Sequence, residues 1–126
     1  MKVFGIVLAA GKGTRMRSEE PKCAHYIIDK TMVEYVVDSL KGARIQDIIT
    51  VVGYRHEVIE EILGDRSRYA LQEQQLGTAH AVMMAEPFLK DEEGLTLIAI
   101  GDMPLVSKET YASLIGFHLQ SGSDLT

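Results

Sequence analysis

Two glycines and two basic residues follow an apolar run near the amino terminus, in the segment LAAGKGTRM that extends from Leu8 to Met16. Glycines allow backbone N–H groups to approach an anion closely. Arg15 lies within this segment and Lys22 follows it, and both supply positive charge that can follow phosphate oxygens. The segment therefore predicts a loop that binds the phosphates of a nucleoside triphosphate.

This loop matches neither of two better-known phosphate-binding patterns. A Walker A loop ends in Gly-Lys followed by Ser or Thr, whereas here Gly13 follows Lys12, and the interval between Gly5 and Gly11 is too long. A dinucleotide-binding fingerprint requires a third glycine where this chain has Met16. On spacing alone, a simple strand-to-helix turn with exposed basic residues remains the alternative.

A carboxylate follows another apolar run, in the segment IGDMPL. Asp102 comes directly after the run, where it is well placed to hold Mg²⁺ against phosphate oxygens of a ligand. The alternative interpretation is an ordinary turn aspartate at the end of a strand.

The segment LQEQQLGTAHAV could contact a base. Gln72 can offer both a donor and an acceptor to a base edge, and Gly77 would allow the backbone to lie against a planar ring. Thr78 is expected to cap a helix that runs through AHAVMMAE and ends near Pro87. Alternatively, Gln72 and Gln75 are surface amides, and Gly77 and Thr78 only begin a helix.

Short apolar runs alternate with segments of helical periodicity and must position these residues. Apolar spacing predicts helices around Val33–Leu40, ending at Gly42, and around Val58–Leu63, ending at Gly64. A last helix is expected from about Ser107, with Leu114, Ile115, His118 and Leu119 on one face. Strands are predicted at residues 3–9, 47–52, 68–72 and 95–100.

This alternation predicts an α/β fold of right-handed βαβ units, with a mostly parallel sheet and helices on both faces. Ligands of such sheets bind beyond the carboxyl ends of the strands. The loops at residues 10–21, 72–78 and 101–105 lie at that edge. The three candidate segments should therefore meet.

Composition restricts the other possibilities. A chain of 126 residues that is 46% hydrophobic can form one core, and a net charge of −5 argues against non-specific binding to nucleic acid or to anionic membranes. No apolar run approaches the roughly 18 residues of a membrane span.

The single cysteine, Cys23, and the lack of a secretory pattern lead us to expect a cytoplasmic protein. We assign no chemistry to Cys23 and no zinc site to the scattered His25, His56, His80 and His118.

Taken together, LAAGKGTRM, EEPK, QEQQLGTAHAV and GDMPL resemble the amino-terminal domain of the bacterial N-acetylglucosamine-1-phosphate uridyltransferases, the bifunctional GlmU family. The resemblance covers essentially the whole chain, and its middle segment is the most specific part. It implies a Rossmann-like nucleotidyltransferase fold. It also implies transfer of a uridylyl group from UTP to N-acetylglucosamine 1-phosphate, with Mg²⁺, in the supply of cell-wall precursors.

The resemblance also implies the role of each residue. Arg15 would face the departing pyrophosphate, Lys22 the reacting phosphates, and Asp102 would bind Mg²⁺; these three are the expected catalytic residues. Gln72 and Gly77 would read uracil. The nucleotide site as a whole would comprise Leu8, Ala9, Ala10, Gly11, Gly13, Lys22, Gln72, Gly77, Thr78, Ile100, Gly101 and Asp102.

The chain is shorter than the uridyltransferase domain of that family, which is about twice as long and is followed by an acetyltransferase β-helix. We therefore expect residues 1–126 to be the amino-terminal part of a single nucleotidyltransferase domain, with a fifth strand beginning after Gly122, and with most sugar-binding residues absent. An incomplete sheet also predicts self-association. Two alternatives remain: a nucleotidyltransferase for another nucleotide or sugar phosphate, and a non-catalytic nucleotide-binding module.

Overall fold

The structure is a computed structural model that describes residues 2–11 and 21–126. Six strands are present in this part of the chain: β1 (Val3–Ala9), β2 (Tyr26–Ile27), β3 (Lys30–Thr31), β4 (Asp47–Val52), β5 (Arg68–Leu71) and β6 (Leu95–Ile100). The α-helices are α1 (Met32–Gly42), α2 (His56–Leu63), α3 (Thr78–Met83), α4 (Glu86–Leu89) and α5 (Lys108–Ser121). Short 3₁₀ turns occupy Lys22–Ala24 and Gly64–Arg66. None of the helices described is long and apolar enough to cross a membrane.

Four strands form the main sheet in the order β5-β4-β1-β6, and every pairing is parallel. Ile6 of β1 is paired with Ile49 of β4 on one side and with Ile98 of β6 on the other. The chain moves outward from β1 through β4 to β5 and then returns to the opposite side of β1. The carboxyl ends of β1 and β6 therefore form the point at which the strand order reverses, where ligands of open α/β sheets bind.

The sheet has a hydrophobic core on each face, because alternate residues of β1 point in opposite directions. Val7 and Ala9 pack in a cluster with the buried residues of α1 and α2 and with Tyr111 of α5. Ile6 belongs to the second cluster, with residues of β4 and of α3. The predicted parallel α/β arrangement with helices on both faces is confirmed.

Helix α1 begins at a capping box. The Thr31 hydroxyl accepts a hydrogen bond from the Glu34 amide at 3.3 Å, and Glu34 Oε1 accepts one from the Thr31 amide at 3.1 Å. Two backbone N–H groups that the helix leaves unpaired are satisfied in this way. The Arg66 guanidinium also donates to Glu34 at 3.2 Å and so links α1 to the turn after α2.

Three local predictions were wrong. Gly77, with a φ of 106°, precedes the first residue of α3, so Thr78 is inside the helix and does not cap it. The predicted single helix is two short ones, and Pro87 lies in the first turn of α4 because an N-terminal turn needs no proline N–H. Residues 123–126 form no strand. The short β2 and β3 pair was not predicted.

The outer side of β6 is open in the described part of the structure. Strand β6 pairs only with β1 there. Ile98 and Ile100 lie on the same face of the sheet as Ile6, which belongs to the second core. Their side chains are nevertheless 49% and 46% exposed. A groove of about 340 Å³ follows the strand towards α5 and is bordered by Leu114 and Leu125, two further exposed apolar side chains.

We expect this chain to self-associate through β6, because an uncharged, apolar strand edge offers unpaired backbone groups to a second copy. Sedimentation velocity over a range of concentrations should show a rising mean mass. Ile98→Lys should shift the association to higher concentration by about tenfold or more, since a charge would be buried. The matched control is Ile28→Lys, at an isoleucine that is 95% exposed in the β2–β3 turn. A monomer at every concentration would contradict the prediction.

Candidate nucleotide site

A cleft of about 260 Å³ opens where the carboxyl ends of β1 and β6 meet. It therefore lies at the point of strand-order reversal. The described residues that line it come from the ends of both strands and from the turn after Pro21; they are Leu8, Ala9, Gly11, Lys22, Cys23, Ile100 and Asp102.

A lysine and an aspartate face each other in this cleft. Lys22 Nζ lies 3.0 Å from Asp102 Oδ2, and the two side chains are 42% and 29% exposed. Both groups are therefore accessible to a ligand. An ammonium group can contact phosphate oxygens, and a carboxylate can hold a divalent cation.

The close approach of β6 to β1 fixes the position of Asp102. The Gly101 amide donates a hydrogen bond to the Leu8 carbonyl oxygen at 2.9 Å. A Cβ atom at position 101 would lie only 2.9 Å from that same oxygen, so a larger residue would push the strands apart. The Met103 amide then donates to the Ile100 carbonyl at 3.1 Å and closes the turn that carries Asp102.

Cys23 lies beneath the cleft and is a packing residue. It is 4% exposed, and its Sγ atom lies 3.9 Å from the Ala9 carbonyl oxygen. Burial raises the pKa of the Cys23 thiol to about 12, and the nearby negative charge of Asp102 acts in the same direction. The thiol therefore remains protonated near neutral pH and is a poor nucleophile.

Gln72 is in the interior, although it follows an edge strand. Its side chain is 2% exposed, and its backbone amide donates to the Val52 carbonyl at 2.7 Å. Its Nε2 atom donates to the Gly77 carbonyl oxygen at 3.3 Å and lies 2.9 Å from His80 Nδ1. The surface-amide alternative is therefore wrong for Gln72. Gln75 is exposed, but its amide donates to the Ala10 carbonyl at 3.4 Å.

Gly53 joins the loops that follow three strands. A Cβ atom here would lie 2.9 Å from the Gln72 carbonyl oxygen, 2.9 Å from Gln75 Nε2 and 3.0 Å from the Ala10 carbonyl oxygen. The Tyr54 amide also donates to Ala10 at 3.2 Å. The sequence predicts only that a strand at residues 47–52 ends before Gly53, because contacts from distant loops leave no local pattern.

The predicted site residues thus fall into two groups. Leu8, Ala9, Gly11, Lys22, Ile100 and Asp102 line the cleft, and Ala10 and Gly101 are the buried residues that directly follow β1 and β6 beside it. Gln72, Gly77 and Thr78 form a second group at the ends of β5 and α3, which is tied to the first through Ala10. Among the residues described, Gln72, Gly77 and Thr78 do not line the cleft. Gly13 and Arg15 lie outside the described residues.

The donor set suits a metal that also takes ligands from a substrate. Within residues 2–11 and 21–126, no group of three or more histidine, cysteine or acidic side chains could hold a metal ion alone. Mg²⁺ is commonly bound by one or two carboxylates together with phosphate oxygens and water. A single accessible carboxylate, Asp102, is compatible with that arrangement.

The sheet order and the position of the cleft are those of a Rossmann-like α/β fold that binds its ligand at the carboxyl ends of the strands. Residues 5–126 match the MobA-like NTP transferase domain, and the chain belongs to this family. It is 48% identical over 126 residues to the bifunctional protein GlmU of Staphylococcus carnosus (strain TM300). It is 53% identical over 115 residues, or 91% of this chain, to the protein of the same name from Limosilactobacillus reuteri (strain DSM 20016). The chain spans 28% and 25% of the length of these two relatives.

Solved structures share the fold at lower sequence identity. A putative glucose-1-phosphate thymidylyltransferase from Bacillus anthracis, in complex with a sucrose, superposes with a TM-score of 0.80 at 23% identity. The match covers 94% of this chain and 51% of that one. Rv0371c from Mycobacterium tuberculosis H37Rv, in complex with manganese, gives a TM-score of 0.75 at 20% identity, over 92% of this chain and 59% of that one.

We predict that Cys23 reacts with iodoacetamide only when the chain unfolds. At pH 8, about a quarter of the thiols of the urea-unfolded chain, which titrate near 8.5, are thiolate, whereas a Cys23 pKa of about 12 leaves only about one folded chain in ten thousand ionised. Mass spectrometry at pH 8 should show alkylation at least about a hundredfold slower in the folded chain. Equal rates in the two states would contradict the burial of Cys23.

We predict that Gly53→Ala destabilises the chain by about 1–3 kcal/mol, because the new methyl group overlaps atoms of the loops after β1 and β5. Urea unfolding measures the change. Gly116→Ala is the matched control, since a Cβ atom there meets nothing within 4 Å and alanine favours the helix by roughly 0.5–1 kcal/mol. If Gly53→Ala were as stable as the wild type, the close junction of the three loops would be wrong.

Proposed function

We propose that this chain forms the nucleotide and metal side of a uridylyltransferase site. The reaction is that of UTP with N-acetylglucosamine 1-phosphate, giving UDP-N-acetylglucosamine and pyrophosphate. The observation that carries the proposal is the Lys22–Asp102 pair, which lies in a cleft at the carboxyl ends of β1 and β6. The proposal is further supported by two relatives that are named bifunctional protein GlmU and are 48% and 53% identical to the chain.

In the proposed reaction, a phosphate oxygen of the sugar phosphate attacks the α-phosphorus of UTP, and pyrophosphate leaves from the opposite side. Negative charge spreads over the phosphate oxygens in the transition state. Lys22 contacts the reacting phosphates, and Arg15 is assigned to the departing pyrophosphate. Catalysis then consists of positioning and charge stabilisation, and no covalent nucleophile is needed. The neutral, buried Cys23 is compatible with this chemistry.

The ion pair between Lys22 and Asp102 keeps both side chains in the cleft and leaves neither charge uncompensated when no ligand is bound. In the absence of ligand, the Lys22 ammonium neutralises the Asp102 carboxylate at 3.0 Å. On binding of the nucleotide, Lys22 would contact a phosphate oxygen instead, and Asp102 would then be free to hold Mg²⁺. When bound, Mg²⁺ neutralises charge that develops on the phosphates. Each of the two side chains therefore exchanges one partner of opposite charge for another.

The remaining assignments belong to the same proposal. The backbone of Leu8–Gly11 and Gly13, with Thr78, Ile100 and Gly101, surrounds the nucleotide, and Gln72 and Gly77 contact uracil. We propose that residues 1–126 are part of one nucleotidyltransferase domain and act in the cytoplasm. The product is an activated amino sugar of the kind consumed by glycosyl transfer in cell-wall synthesis.

A second candidate is a nucleotidyltransferase for another base or sugar. It is favoured by the TM-score of 0.80 with a protein named as a putative glucose-1-phosphate thymidylyltransferase. Uracil and thymine present the same hydrogen-bonding edge, so only a comparison of nucleotides separates these candidates. A non-catalytic nucleotide-binding module would bind a nucleotide with Mg²⁺ but release no pyrophosphate.

Calorimetric titration with UTP, dTTP, CTP, ATP and GTP in the presence of Mg²⁺ tests the proposal. We expect weak binding with a preference for UTP. Asp102→Asn should weaken binding by about tenfold or more and remove its dependence on Mg²⁺, since a metal ligand is lost. Asp91→Asn, which changes an exposed carboxylate in the turn before β6, is the matched control.

Two outcomes would overturn the proposal. One is binding of no nucleotide, and the other is an unchanged Mg²⁺ dependence in Asp102→Asn. Pyrophosphate release in the presence of N-acetylglucosamine 1-phosphate, glucose 1-phosphate or neither then separates the enzyme from the binding module. We expect slow release at most from this chain alone.

A further inference from the structure

His80 contacts Gln72 from the first turn of α3. The Gln72 side chain is 2% exposed, so its amide hydrogen bonds are made within the protein or with a ligand that reaches it. Nε2 lies 3.3 Å from the Gly77 carbonyl oxygen and 2.9 Å from His80 Nδ1. The three residues form a small polar cluster beside the loop to which base recognition is assigned.

The Gly77 carbonyl identifies which group of this amide faces the two residues, but at 3.3 Å it makes the longer contact, and the 2.9 Å contact with His80 Nδ1 is the stronger restraint. A carbonyl oxygen can only accept a hydrogen bond, so the amide group that faces it must be the NH₂ group and not the oxygen. The same NH₂ group lies against His80 Nδ1, which must then accept as well. The imidazole of His80 is therefore neutral in this arrangement, with its proton on Nε2.

Both hydrogens of the Gln72 NH₂ group are occupied by these two acceptors. Only the side-chain carbonyl oxygen is available to a ligand, and this oxygen accepts a hydrogen bond from a donor group of that ligand. Uracil presents an N–H donor at N3, whereas cytosine presents a lone pair at N3. An amide fixed in this orientation therefore favours uracil at that position, and a flipped amide would favour cytosine.

We propose that His80 is a positioning residue that fixes the amide orientation of Gln72 and so sets the base preference of the site. The inference rests on the proposed contact of Gln72 with the base. Gly77 contributes the second acceptor, and its φ of 106° is a conformation that residues with a side chain rarely adopt. His80 does not contact the nucleotide and acts only through Gln72.

Three variants test this role by the ratio of UTP to CTP affinity, measured calorimetrically with Mg²⁺. His80→Leu removes the acceptor, which allows the amide to rotate, and should reduce the ratio about tenfold. His80→Asn supplies a carbonyl oxygen close to the position of Nδ1 and should keep the ratio within about threefold of the wild type. His118→Leu changes a partly buried histidine on α5 and should leave the ratio unchanged.

The tautomer of His80 provides a test that needs no nucleotide. Nitrogen-15 NMR of the folded chain near pH 7.5 should show a protonated Nε2 and an unprotonated Nδ1 in His80. A protonated Nδ1 would overturn the inference. A His80→Leu variant that folds and retains the full UTP preference would also overturn it, because His80 would then only fill space.

Failure of the proposed function has a different signature. If the wild-type chain binds CTP as well as UTP, or binds neither, Gln72 does not read uracil in this chain, and the base-preference role of His80 is overturned with it. If the wild type prefers UTP and only the His80 variants behave unexpectedly, the proposed function stands and the role of His80 alone is wrong. If His80→Leu does not fold, either loss of the preference in His80→Asn or a protonated Nδ1 would refute the role.

Discussion

The hydrogen bonds that strand β1 makes on both of its sides are the constraint on which the site depends. Strand β1 is apolar throughout, pairs with β4 and β6, and packs against a core on each face. A strand buried in this way has no room for charged side chains. The polar residues of the chain therefore collect where β1 ends, and the last bond on one side, from the Gly101 amide to the Leu8 carbonyl, places Asp102 at that end.

The same constraint explains why the two charged side chains of the cleft lie above tightly packed, buried residues. Lys22 and Asp102 are partly exposed, but the residues beneath them, Ala9 and Cys23, are buried. These buried apolar groups prevent the loops from collapsing into the cleft. They also exclude water from one side of the two charges, so that the charges are less screened there. Because the residues beneath them are tightly packed, the two charged side chains can exchange partners without a rearrangement of the sheet.

The parts of this structure that could be predicted are those in which one local pattern dominates. Strands β1, β4 and β6 follow continuous apolar runs, and α1 follows a clear helical period that ends near Gly42. The Asp102 position could be inferred because it depends only on the end of a strand. By contrast, the close contacts of Gly53 and the burial of Gln72 depend on loops far apart in sequence, and no local pattern records them. The split between α3 and α4 was missed because Pro87 suits a first turn as well as it suits an end.

The two sides of β1 are supported unequally, and this affects the two groups of site residues differently. On the β4 side, the Ala10 carbonyl accepts from Tyr54 and Gln75, so the loops after β4 and β5 hold each other. On the other side, β6 has one paired neighbour in the described structure and exposes Ile98 and Ile100. The position of Asp102 therefore depends on fewer contacts than that of Gln72. An added partner along β6 would most stabilise the side of the site at Asp102, the proposed metal ligand, since the side at Gln72, the proposed base contact, is already held by contacts within the chain.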